Sequence, residues 1–528
     1  MHTNVDSTIQ ALLRRFARRV FGAIAATKAP IWRSALTSIG FLLVIVSSAH
    51  ASIAASIIEQ IDAGRFRDAE SQIAQSLATS EPLAAERSAL EFQRERMRRM
   101  RLDFQLTKDA AMARVRQQIP DLTPAEFDAW STAGLLEHMS IDSETRYFNR
   151  APSNLFRLSA AARERRAKQT PFKDGPLERA HEHHREVIQA HRTTGKPSVA
   201  GRRVRVTQSI TVDANAAPAG ETIRAWIPYP RSRKGQQEDI RFIASTPAQH
   251  TIAPESTLQR TVYFEAPARA DESTKFSITY ELTSYAQRWD IDPAKVTRPH
   301  LTPELRELAS ERPPHIVFTP AMREYSKRVV GTETNPYRIA LKLFDAVDRI
   351  PWAGAREYST ITNISDYALR AGHADCGQQT LLLMTLLRLN GIPARWQSGW
   401  VFSDGEYDNM HDWGWLYLAP YGWVPMDVTF GRLGTEDPSV DTFYVGSLDA
   451  YRLVFNDDYS QPLYPAKQHF RSETVDSQRG EVEWRGGNLY FDTWNYDFEA
   501  EILDWKRSAL SAAKNTQTVL DPVLSPAR

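Results

Sequence analysis

Near residue 200 the hydrophobic period of this chain changes from about 3.6 to two, so helices must give way to sheet there. Upstream, Ile57, Ile58 and Ile61, then Gly64, then Phe66, Ala69, Ile73 and Leu77 predict a helical hairpin, and Leu90 to Leu102 continues in that style. Thr123-Pro124-Ala125-Glu126 predicts a capping box with proline at the first helical position, opening a helix toward Trp130. The basic runs Arg94–Arg101 and Arg163–Lys168 read as solvated helix faces. Downstream, Val204/Val206, Ile210/Val212, Ile223/Ala225/Ile227 and Phe276/Ile278/Tyr280/Leu282 alternate with polar residues. Turn material at Ala217-Pro218-Ala219-Gly220 and Tyr229-Pro230 separates them, the pattern of an antiparallel sandwich. Nothing in that sandwich has catalytic character.

At roughly 150 residues per domain, a length of 528 implies three or four domains. Lys and Arg number 65 against 64 Asp and Glu, so a net charge of +1 provides no field to recruit nucleic acid or an anionic membrane. The first 51 residues read as an export signal. Arg14, Arg15, Arg18, Arg19, Lys28 and Arg33 form a basic n-region, Leu36 to Val46 an apolar stretch, and Ala49 and Ala51 an A-x-A cleavage site. That stretch is well short of the ~20 residues a spanning helix needs. The expectation is a periplasmic or secreted protein, with an uncleaved inner-membrane anchor as the alternative and no other integral membrane segment.

A single cysteine, Cys376, excludes an intrachain disulfide and a Cys-rich zinc site. In an oxidising compartment such a thiol is either buried and inert or kept for its reactivity. The one histidine cluster, His181, His183, His184 and His191, lacks the second histidine of a His-Glu-x-x-His zinc-protease helix because Arg185 stands there, and reads as exposed helix surface. Thr193–Pro197 reads as a linker.

The informative stretch runs from Gly372 to Gly431. The unbranched apolar run Leu381–Leu389 predicts a buried helix, with Asp375 as its N-cap and Gly391 just past its end. Cys376 then lies in the first turn, where free N–H groups and the helix dipole favour a thiolate and lower the thiol pKa. His373, three residues earlier, reads as a packed loop residue. A strand from Trp396 to Phe402, a polar loop Ser403–Met410, a strand from His411 to Leu418 and a turn at Pro420-Tyr421-Gly422 lead to Trp423–Val428. In an antiparallel hairpin His411 and Asp427 share a face by parity, although direct opposition would centre the hairpin at 419 and a diagonal contact or bulge is needed. The roles that follow are Cys376 as nucleophile, His411 as base and Asp427 as the acid orienting the imidazole. The Cys376 N–H is a natural oxyanion donor, with Trp352, Gln378 and Gln379 as candidates for the second. Trp396, Trp400, Trp413, Trp415 and Trp423 read mostly as core.

Asp-Cys at a helix start, Gly391-Ile392-Pro393-Ala394-Arg395, His411-Asp412-Trp413 and Gly422-Trp423-Val424-Pro425-Met426-Asp427, in that order, resemble the bacterial transglutaminase-like superfamily. The resemblance covers about 60 residues and implies a papain-like core with a Cys376–His411–Asp427 triad. Asp412 and Gly414 depart from the usual residues around that tryptophan, with no expected effect on the chemistry. The fold expected is multidomain α+β. It comprises a signal peptide (1–51), a helical region (52–200), a β-sandwich (201–295), a papain-like transglutaminase core (296–445) and a β-rich extension (446–528). The activity implied is cysteine acyl transfer on a protein or peptide of the cell envelope, by hydrolysis or by transfer to an amine, with no cofactor. The rival reading is a partner-binding envelope protein on the same scaffold.

Overall fold

The computed structural model describes residues 53–79, 84–169, 172, 174–403 and 407–503; the export segment expected at 1–51 lies outside them, as does part of the Ser403–Met410 loop. The chain divides into two compact units, residues 1–169 and 170–528.

The first unit is mixed. Helices α1 (53–62) and α2 (Phe66–Thr79) form the hairpin expected around Gly64. That residue has φ +73°, and a Cβ on it would lie 1.7 Å from the Ser140 carbonyl oxygen, so only glycine fits. Helices α3 (Ala84–Asp103), α4 (Lys108–Arg116) and α5 (Pro124–Thr132) follow. Thr123 Oγ1 accepts from the Glu126 N–H at 3.2 Å, but the Glu126 carboxylate pairs with Arg165 instead of closing the box. A hairpin of β1 (His138–Ile141) and β2 (Glu144–Tyr147) interrupts the helices before α6 (Ala151–Leu158) and α7 (Ala160–Glu164). No strand was expected there. The run Arg94–Arg101 also departs from expectation. Arg96 and Arg99 are buried, neutralised by Asp62 and Glu95, while Met97 and Met100 bury beside them.

The second unit opens with α8 (Glu182–Thr194), capped by Gly195 at φ +66° and turning straight into sheet. Its strands are β3 (Ser198–Val212), β4 (Thr222–Pro228), β5 (Gln237–Thr246), β6 (Thr251–Ile252), β7 (Thr261–Pro267), β8 (Thr274–Arg288), β9 (Ala394–Phe402), β10 (Asp408–Leu418), β11 (Gly422–Met426), β12 (Ser447–Leu448), β13 (Arg452–Asn456), β14 (Glu481–Trp484), β15 (Gly487–Leu489) and β16 (Trp494–Ile502). Among the described residues they form two five-stranded antiparallel sheets and one of four strands. The first runs β12-β8-β3-β16 with β5 on β8, and the second β15-β14-β4-β7-β6. The alternating residues Val204, Val206, Ile210, Val212, Phe276, Ile278, Tyr280 and Leu282 bury between them, as the period of two requires. Strands from the far end of the sequence, β14 and β16, complete both sheets.

His183 and His184 are buried rather than exposed, because α8 packs inward. His183 Nε2 accepts from the Ala450 N–H and His184 Nε2 meets Tyr444 Oη, both at 3.0 Å. Burial pulls the His184 pKa down to about 3, so its ring stays neutral.

Helices α9 (Pro303–Glu307), α10 (Pro320–Val330), α11 (Pro336–Asp348), α12 (Ile364–Ala371) and α13 (Cys376–Leu389) precede the four-stranded sheet, ordered β11-β10-β9-β13. Leu381, Leu382, Leu383, Met384, Leu386 and Leu387 of α13 are all buried, so this helix is core on every side. The pairing of Trp415 with Pro425 and Leu418 with Gly422 centres the β10–β11 hairpin at the expected turn.

Candidate active site

Asp375 caps α13, accepting from the Gln378 N–H at 3.1 Å while Gln378 Oε1 accepts from the Asp375 N–H at 3.2 Å. Tyr358 Oη donates to the same cap at 2.6 Å. Cys376 is thereby fixed as the first helical residue, part-exposed. Gly377 is required by this crowding: a Cβ there would lie 2.2 Å from Tyr358 Oη and 2.9 Å from Asp412 Oδ2.

His411 and Asp427 come together. His411 Nε2 and Asp427 Oδ2 are 2.7 Å apart, the diagonal contact allowed by parity, since Asp427 lies just beyond β11. The Thr429 and Phe430 N–H groups donate to Asp427 Oδ1, each at 3.1 Å. Arg452 Nη1 makes an ionic contact with Asp427 Oδ2 at 2.6 Å, and its Nε and Nη2 donate to Asp449 Oδ2 at 2.9 and 2.7 Å. Burial alone would raise the Asp427 pKa, but His411 and Arg452 overcome it and hold the carboxyl well below the usual range. The imidazole stacks on Phe430, centroids 4.5 Å apart.

The thiol has a different partner. Cys376 Sγ donates to Asp412 Oδ2 at 3.2 Å, and among the described residues no hydrogen bond links it to His411. Successive strand residues point to opposite faces. His411 and Trp413 share one face of β10, while Asp412 is on the face covered by α13, whose Thr380 Oγ1 donates to the Asp412 carbonyl at 3.3 Å. Gln478 Nε2 donates to Asp412 Oδ1 at 3.1 Å and to the His411 carbonyl at 3.0 Å. Loss of hydration and then the neighbouring Asp476 carboxyl push the Asp412 pKa well above the carboxylate range. Lost hydration, then Asp412 and Asp375, likewise push the Cys376 thiol well above its ordinary value. This reverses the lowered pKa expected from the helix start, because burial and then the nearby carboxyls outweigh the dipole. It also makes Asp412, expected to be inert, the residue touching the sulfur.

Of the oxyanion candidates, Gln379 has its amide engaged, donating to the Ile350 carbonyl at 3.0 Å and accepting from Thr429 Oγ1 at 2.7 Å. Gln378 keeps a buried Nε2 without a hydrogen-bond partner among the described residues. Trp352 is tied by a parallel bridge to Ala374, two residues before Cys376. His373 is buried and packs edge-on against Tyr367, 6.5 Å between centroids. Trp396, Trp400, Trp413 and Trp415 are buried. Sequence reasoning missed Arg452, Asp449, Gln478 and Tyr358, none of which carries a local signal.

The helix that bears Cys376, the His411–Asp427 contact and the strands between them fall within one segment of the chain. Residues 323–428 match the model of the transglutaminase-like superfamily. No curated protein matches the chain. Among solved structures, it is similar to a protein of Cytophaga hutchinsonii provisionally named a cysteine protease, at 15% identity over 59% of this chain and 94% of that one, TM-score 0.38. It is also similar to the periplasmic domain of TgpA from Pseudomonas aeruginosa, at 14% identity over 48% and 91%, TM-score 0.24. Beyond the matched segment, Arg452 and Gln478 reach the transglutaminase-like residues from strands and loops nearer the C-terminus.

Proposed function

We propose that this protein is an exported cysteine acyl-transfer enzyme acting on amides of envelope proteins or peptides. Cys376 turns from Asp412 toward His411, which takes the thiol proton as sulfur attacks the amide carbonyl. The carbon–nitrogen bond breaks, the amine leaves with the proton returned by His411, and a thioester remains on Cys376. Asp427 holds the imidazole and balances its positive charge. The Cys376 N–H supplies one oxyanion donor and Gln378 Nε2 the second. Water completes a peptidase or amidase cycle, and an amine completes a crosslinking one.

The observation that carries this reading is the buried 2.7 Å His411–Asp427 contact within the matched segment that holds Cys376. One observation favours the rival scaffold reading: the thiol is hydrogen-bonded to Asp412 and its pKa is raised. Iodoacetamide modification of Cys376 against pH, in wild type and His411→Ala, decides between them. A plateau below pH ~8.5, the ordinary thiol value, that disappears in the variant supports catalysis. A rate that follows an ordinary or slower thiol and ignores the substitution, even with amide substrate present, supports a partner-binding scaffold.

A further inference from the structure

Outside the candidate active site, the second unit contains a cavity of about 430 Å³ between the loop after β4 and the edge of the β9–β11 sheet. Register builds one wall. Arg395 of β9 lies directly opposite Trp415 of β10, and Trp423 of β11 has the same facing parity. The Arg395 guanidinium therefore lies over both indoles, 4.4 Å from the Trp423 centroid and 5.4 Å from that of Trp415. Trp289 meets Trp415 edge-on at 5.9 Å and extends the aromatic surface. The other wall is cationic, from Arg231, Arg233 and Lys234.

The charges do not balance. Arg231 and Arg233 both contact Asp457, each at 2.5 Å, and so share one carboxylate. Arg395 has no hydrogen bond or ion pair among the described residues. Burial, and then the like charge of Arg233, pull its pKa down to about 10, with Asp457 and Glu304 opposing. A guanidinium stacked on indole leaves its N–H edge free to bind in its own plane. That edge matches a carboxylate bidentately, while tryptophan faces suit a flat apolar group. The volume falls in the ordinary range for small-ligand sites.

We propose that this cavity binds a small carboxylate ligand with a flat apolar body, the carboxylate on Arg395 and the body against Trp415 and Trp423. The site is separate from the thiol. Trp415 lies four residues along β10 from His411, about 13 Å at ~3.3 Å per residue, so occupancy does not depend on the catalytic reading.

The test is calorimetric titration of the full chain with benzoate, with benzamide as its uncharged isostere and inorganic phosphate as a compact anion. Benzoate is expected to bind at least tenfold more tightly than either, and to lose tenfold or more on Arg395→Gln. Lys234→Gln, at an exposed rim position, is expected to cost about threefold without affecting folding, and decides the matter if the arginine variant does not fold. Equal binding of benzoate and benzamide, tighter binding of phosphate, or unchanged affinity in the folded variant would overturn the proposal. None of these results alters the alkylation profile of Cys376, so the two readings fail separately.

Discussion

Arg452→Met removes the one cation, among the described residues, that touches both Asp427 and Asp449. All three side chains are buried, with Arg452 at 3%, Asp427 at 0% and Asp449 at 1% exposure. The guanidinium also lies 4.8 Å from the Phe430 ring and 5.1 Å from that of Trp413. Methionine fills much of the volume but leaves two buried carboxyls without their cation. Breaking a buried pair in this way costs about 3–5 kcal/mol. For residues 170–503, an unfolding entropy of about 2.1 cal/mol/K per residue gives roughly 0.7 kcal/mol/K, so Tm should fall by about 4–7 °C. The sign with pH follows from the lowered Asp427 and Asp449 pKa values. Their stabilisation is present above the unfolded carboxylate pKa and is lost as pH falls through the folded one, so the deficit of the variant should shrink in acid. Calorimetry at neutral and acid pH measures both effects. Adding Asp449→Asn should recover part of the loss by removing one of the stranded charges. A variant that melts with wild type at neutral pH would refute the claim that Arg452 is the counter-ion of this buried pair.

Asp412→Asn removes a carboxyl 3.2 Å from the sulfur and should lower the thiol pKa. Where Asp412 is ionised its charge is worth about 1 kcal/mol even at the dielectric of water, so alkylation above its raised pKa should speed up about fivefold or more; an unchanged rate there would remove Asp412 from the account. Gly377→Ala should disturb the helix start and alter the alkylation profile, and Tyr358→Phe in the same chain should relieve this only in part, because it deletes the atom 2.2 Å from the new Cβ but leaves the ring carbon at 2.8 Å and Asp412 Oδ2 at 2.9 Å. Asp348, pushed up to about 6 first by burial, binds its proton more tightly in the folded state, so stability should decline between about pH 4 and 6. Asp348→Asn should flatten that decline in pH-dependent thermal melts.

What could be read locally from the sequence was read locally. The N-cap at Asp375, the stop at Gly391, the alternation of β3 and β8 and the parity of His411 with Asp427 each depend on residues within a few positions or across one turn. The β1–β2 hairpin escaped because its strands have four residues each, too few for period two to stand out among helices. Arg99 and His184 were misjudged for another reason. Composition places such residues outside, yet Glu95 neutralises the first and burial keeps the second uncharged. Arg452 was illegible in principle, since its partner Asp427 is 25 positions away and only the pairing of β13 with β9 brings them together.

The two faces of β10 set opposite electrostatic demands on a thiol–imidazole pair. On one face the Asp427 carboxylate meets His411, and Arg452 offsets part of its negative charge. On the other, Asp412 and Asp375 oppose a negative sulfur. The second effect, with burial, favours the neutral thiol in the free protein. Proton transfer from Cys376 to His411 therefore needs departure of the sulfur from Asp412, whose raised pKa already favours its uncharged form. The Asp476 carboxyl beside Asp412 and the hydrogen bond from Gln478 make that residue the control point. Asp412→Asn should ease formation of the thiolate with little melting deficit, whereas Arg452→Met should show a large melting deficit. If Asp412→Asn gave the same alkylation profile as wild type, Asp412 would not govern the thiol.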